Sequence, residues 1–240
     1  MRYELYYWPS IQGRGEFVRL ALEEAGADYV DVARRSGSGM GVKAMQKFLD
    51  DEKLAGTPYA PPFLKAGKLI IGQTANILLY LGPRHGLAPR NEAGRIWVNQ
   101  LQLTVADFVT DIHDTHHPIG TSLYYHQQKA EARRRSKNFR TERMPKFLGY
   151  FEQVLSGGKG RRYMAGNTFS YADLSMFQLI AGLRFAFPRA LKKLEPDLPG
   201  LIDLHDRIAA RPNVAAYLAS KRRIPFNQHG IFRHYPELDR

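Results

Sequence analysis

The spacing of apolar positions changes character along the chain, and the changes divide it into elements. Residues 3–8 are rich in aromatics that favour strands, and Pro9 removes a backbone donor and ends the run. From Gly15 the period becomes helical, with Phe17, Leu20, Ala21 and Glu24 in phase and Gly26 as the stop. Residues 28–32 predict a second short strand, 35–41 a Gly/Ser-rich loop, and 42–54 a short helix. Two apolar runs, 61–65 and 69–71, flank a turn at Ala66-Gly67 and predict a hairpin, with a helix over 73–81 behind it. After the turn-rich stretch 83–89 no strand pattern recurs. Helical patterns fill 92–117, 127–155, 170–185 and 199–210.

The first seven elements read β-α-β-α-β-β-α, which is the thioredoxin-like order, and everything beyond is helical. The predicted fold class is therefore α/β followed by all-α. Residues 1–83 form the first domain, 84–90 the linker, and 91–240 a helical domain with a C-terminal tail. A length of 240 residues suits two such cores.

Composition narrows the chemistry. Cysteine is absent, which excludes disulfides, thiolate-bound zinc and a protein thiol nucleophile, so any sulfur chemistry belongs to a substrate. No run approaches the roughly 20 apolar residues that cross a bilayer. The N-terminus turns polar by Ser10, unlike a signal peptide, and a cytoplasmic location is expected. Lys and Arg number 35 against 23 Asp and Glu, a net charge of +12. The densest basic runs, Arg133-Arg134-Arg135 and Lys221-Arg222-Arg223, carry no interleaved aromatics, so nucleic acid is not the expected partner.

Several local patterns carry possible chemistry. Tyr6 and Tyr7 are consecutive in a strand, so only one of them can face a given side. Pro61-Pro62 precedes the hairpin, either as a stiff loop or as a site with a cis peptide. Gln73-Thr74 opens a helix, whose free N–H groups and positive dipole end suit a carboxylate. Ser170-Tyr171-Ala172-Asp173 is a capping box with Asp in the acidic position. His113 and His117 flank Asp114 at i,i+4, a spacing that suggests metal. The acid is too short, however, Pro118 follows at once and no third ligand is evident, so no metal is expected.

Four segments in this order resemble the cytosolic glutathione transferases that use a tyrosine. They are the 5–16 stretch L-Y-Y-W-P…Q-G-R-G-E, then A-P-P-F with G-Q-T-A-N-I-L-L-Y-L, V-A-D-F, and F-S-Y-A-D-L with the later R-P-N-V-A-A-Y-L. The resemblance spans nearly the whole chain. It implies a homodimer with glutathione as co-substrate and no metal. The implied reaction conjugates the thiol to a hydrophobic electrophile. The same thiolate would serve an isomerase or peroxidase, and a non-catalytic glutathione-binding protein is the reading from another class.

The resemblance also implies roles for residues. Tyr7 would stabilise the thiolate, with Tyr6 and then Ser10 as rivals. A free thiol titrates near 8.5, and lowering it by about two units takes roughly 2.7 kcal/mol, which one hydrogen bond to a charged acceptor nearly supplies. Pro61 would be the cis-proline, with Ala60 offering its backbone to the cysteinyl unit. Gln73 and Thr74 would hold the γ-glutamyl carboxylate, Arg14 would support that end, and Asp107 would reach its amine across the dimer. Lys43 and Lys47 are candidates for the glycyl carboxylate, although the glycine-rich loop there departs from the family pattern. Counting from Asp107 puts His117, with His113 one turn earlier, at the acceptor site, where Trp8 would add an apolar wall. A structural role for these histidines is the alternative. The tail from Pro225 either covers the acceptor site or is loosely ordered.

Overall fold

The computed structural model describes residues 1–54, 56–158 and 160–240. A four-stranded sheet in the order β2-β1-β3-β4 organises the first part. Its strands are β1 (Tyr3–Tyr6), β2 (Tyr29–Asp31), β3 (Phe63–Ala66) and β4 (Leu69–Gly72). β1 runs parallel to β2 and antiparallel to β3, with Tyr6 opposite Phe63, and β3 and β4 form the hairpin.

Alternation along β1 sorts its side chains between two layers. Tyr3 and Leu5 pack with Val18 and Leu22 of α1 (Gly15–Glu24) and with Ile77 and Leu81 of α3 (Thr74–Arg84). Tyr6 faces the other side, against Met45 of α2 (Gly41–Leu49), Val30 and Phe63. Tyr7, just past the end of β1, shares the phase of Tyr3 and Leu5 and turns towards the start of α1.

The helical part comprises α4 (Glu92–Asp114), α5 (Lys129–Asn138), α6 (Met144–Ser156), α7 (Tyr171–Ala186), α8 (Pro188–Leu194), α9 (Pro199–Ala209) and α10 (Pro212–Leu218). Nearly every residue of α7 is buried, consistent with a helix that is apolar on all sides and sits in the middle of the core. The capping box fixes its start. Asp173 accepts from the Ser170 N–H at 2.7 Å and the Ser170 hydroxyl at 2.9 Å, and its other oxygen accepts from the Met164 N–H at 2.8 Å.

Two sequence expectations need adjustment, and one open alternative is resolved. The helix expected over 127–155 is two helices joined by a π turn at Phe139–Arg143. α4 stops at Asp114, so His116 and His117 follow in a turn. The tail is well packed, with Ile224, Ile231, Phe232 and Leu238 all buried.

Candidate functional site

Two glycines create the space for Tyr7. A Cβ on Gly15 would lie 2.5 Å from the tyrosine ring, and one on Gly13 would collide with its hydroxyl. The intervening Arg14 then presents its N–H to Tyr7 Oη at 2.9 Å. The Q-G-R-G run is therefore a close-approach device that wraps the chain around the phenol. Tyr7 is only 4% exposed. Burial raises its pKa, against the Arg14 N–H and the charges of Arg14 and Arg19, so the phenol keeps its proton at neutral pH. Its oxygen accepts from Arg14, which leaves its own O–H available to donate.

Tyr6 is committed elsewhere. Its hydroxyl donates to Glu4 at 2.7 Å, and its ring stacks on Phe63 at 4.6 Å on the opposite side of the sheet. Ser10 is exposed, and its carbonyl accepts from the Asn227 amide at 2.8 Å. Trp8, beside Tyr7, is 39% exposed.

A cleft of about 340 Å³ opens at the N-terminus of α3, where Arg14, Gln73, Thr74 and Asn76 meet Gln102 and Val105 of α4. Gln73 precedes the helix with φ of 67°, the one described non-glycine residue in the left-handed region. Such a conformation costs of order 1–3 kcal/mol and collects at binding sites. No side chain caps this helix end, so its first N–H groups are open to a carboxylate. Thr74 donates its hydroxyl to the Arg14 carbonyl at 3.3 Å, tying the helix start to the Tyr7 loop. The Arg14 side chain has no carboxylate within 4.0 Å among the described residues.

The cis peptide falls one residue later than the sequence reading placed it. It joins Pro61 to Pro62, so the cis-proline is Pro62 and the residue before it is Pro61, not Ala60. The reason is the start of β3: Pro62 is buried directly ahead of Phe63, which already pairs with Tyr6 and Gly72, whereas Ala60 is exposed. Counting back from Phe63 would have located it. Being a proline, Pro61 offers a carbonyl but no N–H.

Lys43 and Lys47 are exposed on α2 and make no ion pair among the described residues. Asp107 is exposed on α4, beside Thr104, Asp111 and Lys146 in a groove separate from the Gln73 cleft.

His113 and His117 stack at 5.0 Å. His116, which the sequence reading passed over, completes a three-ring cluster, with centroids 5.2 Å and 4.9 Å from the other two. All three are held below the usual imidazole range, chiefly by burial, and His116 is pushed down to about 2. The positive charge of Arg233 adds to this at His116 and His117, and that of Arg14, more than Arg233, at His113. Asp114 partly opposes this at His113, 3.3 Å from its Nδ1. Among the described residues no group of three potential ligands has metal-binding geometry.

Comparison with known proteins fits this arrangement. Residues 113–221 match the glutathione S-transferase C-terminal domain. A glutathione S-transferase of Plasmodium falciparum (isolate 3D7) is 25% identical over 224 residues, covering 91% of this chain and 95% of that protein. Glutathione S-transferase P 1 of Xenopus laevis is 26% identical over 92% and 93% of the two chains. For glutathione S-transferase Mu 6 of Mus musculus the identity is 27%, with 92% of each covered. A solved Pi-class glutathione S-transferase of Onchocerca volvulus superposes with a TM-score of 0.69 at 23% identity, covering 91% of this chain and 92% of that one. The molecule thus has the two-part glutathione S-transferase architecture. Within its helical part, residues 113–221 are similar to the C-terminal domain of that family.

Proposed function

We propose that this protein is a glutathione transferase that conjugates reduced glutathione to hydrophobic electrophiles. The observation that carries the reading is the buried, protonated Tyr7 hydroxyl, held by the Arg14 N–H and free to donate to a thiolate. In the reaction the glutathione thiol gives its proton to solvent, and the thiolate accepts the Tyr7 hydrogen bond. Its sulfur then attacks, for instance, the carbon of a nitroaryl chloride; the C–S bond forms as chloride leaves with the C–Cl electron pair. The open helix end at Gln73 and Thr74 suits the γ-glutamyl carboxylate, with Arg14 adding charge. Pro61 supplies a carbonyl acceptor, and Lys43 or Lys47 would serve the glycyl end. His113, His117 and Trp8 lie towards the acceptor.

Within this reading residues 1–83 bind glutathione, 84–90 link, and 91–240 receive the acceptor, in a cytoplasmic homodimer. Leu79 and Leu103 are 36% and 52% exposed on the rim of the Gln73 cleft, and Asp107 has no cation partner among the described residues. A second copy covering that rim would bring its Asp107 to the glutamyl amine.

The test is turnover of 1-chloro-2,4-dinitrobenzene with glutathione by wild type and Tyr7→Phe. Loss of one hydrogen bond to a charged acceptor should lower kcat/KM by about 10- to 100-fold. Undiminished turnover in the variant would remove Tyr7 from the mechanism. Wild-type binding to glutathione without turnover of aryl halides, peroxides or isomerisable substrates would make the protein a binder only.

A further inference from the structure

The tail beyond α10 crosses the site. The Asn227 amide donates to the Ser10 carbonyl, and Gln12 Nε2 donates to the Ile224 carbonyl. Phe226, Gly230 and Phe232 share a small cavity with Gln12 and Gly13. Gly13 in turn touches the Tyr7 hydroxyl, so the tail stands beside the reacting centre. On its far side the tail is pinned where His116 Nε2 donates to the Ile231 carbonyl at 2.8 Å.

Two residues on is Arg233. Its Nε donates to the Gly230 carbonyl at 2.8 Å and its Nη2 to the His229 carbonyl at 3.2 Å. Nη1 has no hydrogen-bond partner among the described residues, and no carboxylate lies within 4.0 Å of the guanidinium. The side chain is therefore held in place by backbone with its charge uncompensated. That charge reaches all three imidazoles, and the charge of Arg14 reaches His113 from the Tyr7 side. Among the described residues, two unpaired guanidiniums thus flank a cluster of neutral imidazoles, and the one acid touching that cluster is the partly exposed Asp114.

We propose that the acceptor site selects electrophiles bearing a carboxylate, and that Arg233 is the residue that recognises it. The proposal rests on the transferase reading and names its substrate class. A carboxylate brings one charge and two acceptor oxygens, matching the free edge of a guanidinium held in a partly desolvated site. A dianion would cost more to desolvate in such a partly buried site. The electrophilic carbon would sit at the Tyr7 end, and the anionic end would point to the tail.

The test uses a matched pair, 4-chloro-3-nitrobenzoate and its methyl ester, each rate divided by its uncatalysed rate with glutathione. Wild type should favour the acid, and Arg233→Gln should reduce the acid-to-ester ratio of kcat/KM by about tenfold. Arg233→Lys, which keeps the charge, should restore part of that ratio, an effect that loosening of the tail alone would not produce. A wild-type ratio near one, or an equal ratio in wild type and Arg233→Gln, overturns the proposal. Equilibrium binding of the two purified glutathione conjugates separates the two readings. Tighter binding of the acid conjugate, lost in Arg233→Gln, sustains the selectivity even without turnover, in which case the transferase reading fails. Equal binding of the two conjugates overturns the selectivity.

Discussion

His116 is buried under the tail with Nε2 bonded to the Ile231 carbonyl, an atom that only accepts, so Nε2 carries the hydrogen. Its Nδ1 lone pair is buried without a partner among the described residues. Burial, reinforced by Arg233, pushes its pKa down to about 2 from 6.5. The unfolded chain therefore binds a proton that the folded chain refuses. Stability from this residue is fully present above about 6.5 and is lost as the pH falls towards 2, by up to about 1.4 kcal/mol per pH unit. Urea unfolding at pH 7.5 and 5.5 should show a loss on acidification in wild type that shrinks by about 1 kcal/mol in His116→Asn. Equal acid sensitivity in the two proteins would show that His116 titrates normally. The sequence did not expose this residue, because i,i+4 spacing drew attention to His113 and His117, and what buries His116 lies 115 positions away. Gly13 and Gly15 were likewise legible as a motif, whereas the ring that requires them is set by where β1 ends.

Among elements, those with two or more turns of consistent period were readable: α1, α3, α4, α7 and α9 fall close to their predicted spans. α8 and α10 span seven residues each, too short for periodicity to stand out, and both start at a proline that reads equally as a break. The π turn between α5 and α6 inserts no composition signal at all, since helix formers continue through it. The start of α7 was the clearest mark in the helical half, and its energetics follow from geometry. Asp173 is fully buried, and burial raises its carboxyl to about 6 even though three donors favour the charged form. Asp173→Ala would strand the Met164 and Ser170 N–H groups in the core, each worth about 1–3 kcal/mol. A loss of about 3 kcal/mol or more in urea unfolding is expected, with Asp173→Asn losing less because it keeps one acceptor. A loss under about 1 kcal/mol would mean that water replaces the carboxylate.

At the scale of the whole molecule, a buried polar network joins the two parts, centred on Arg19, a residue with no solvent exposure. Its guanidinium donates to Asp31 at 2.7 Å, to Glu16 at 3.2 Å, and to the Ile11 and Gln12 carbonyls of the Tyr7 loop. Glu16 continues the chain to the Tyr217 hydroxyl on α10 and to Arg223, and Arg223 donates to Gln178 on α7. Gln178 then donates to Gln12, closing a circuit from sheet to helical core and back to the loop that carries Arg14. Periodicity counts such positions as mistakes, because Arg, Glu and Gln on apolar faces read as surface; only assembly of both parts supplies their partners. Breaking a buried ion pair by removing one member costs about 3–5 kcal/mol, since the remaining charge stays desolvated. Arg19→Met should therefore lower the unfolding free energy by about that amount. The loss at Arg19 should also extend to the loop it holds, weakening glutathione binding measured calorimetrically under conditions where the variant is folded. Asp31→Asn, which leaves the two loop carbonyls bonded to Arg19, should cost stability with a smaller loss of glutathione affinity. If Arg19→Met loses stability but binds glutathione as wild type does, the network ties the two parts together without positioning the site.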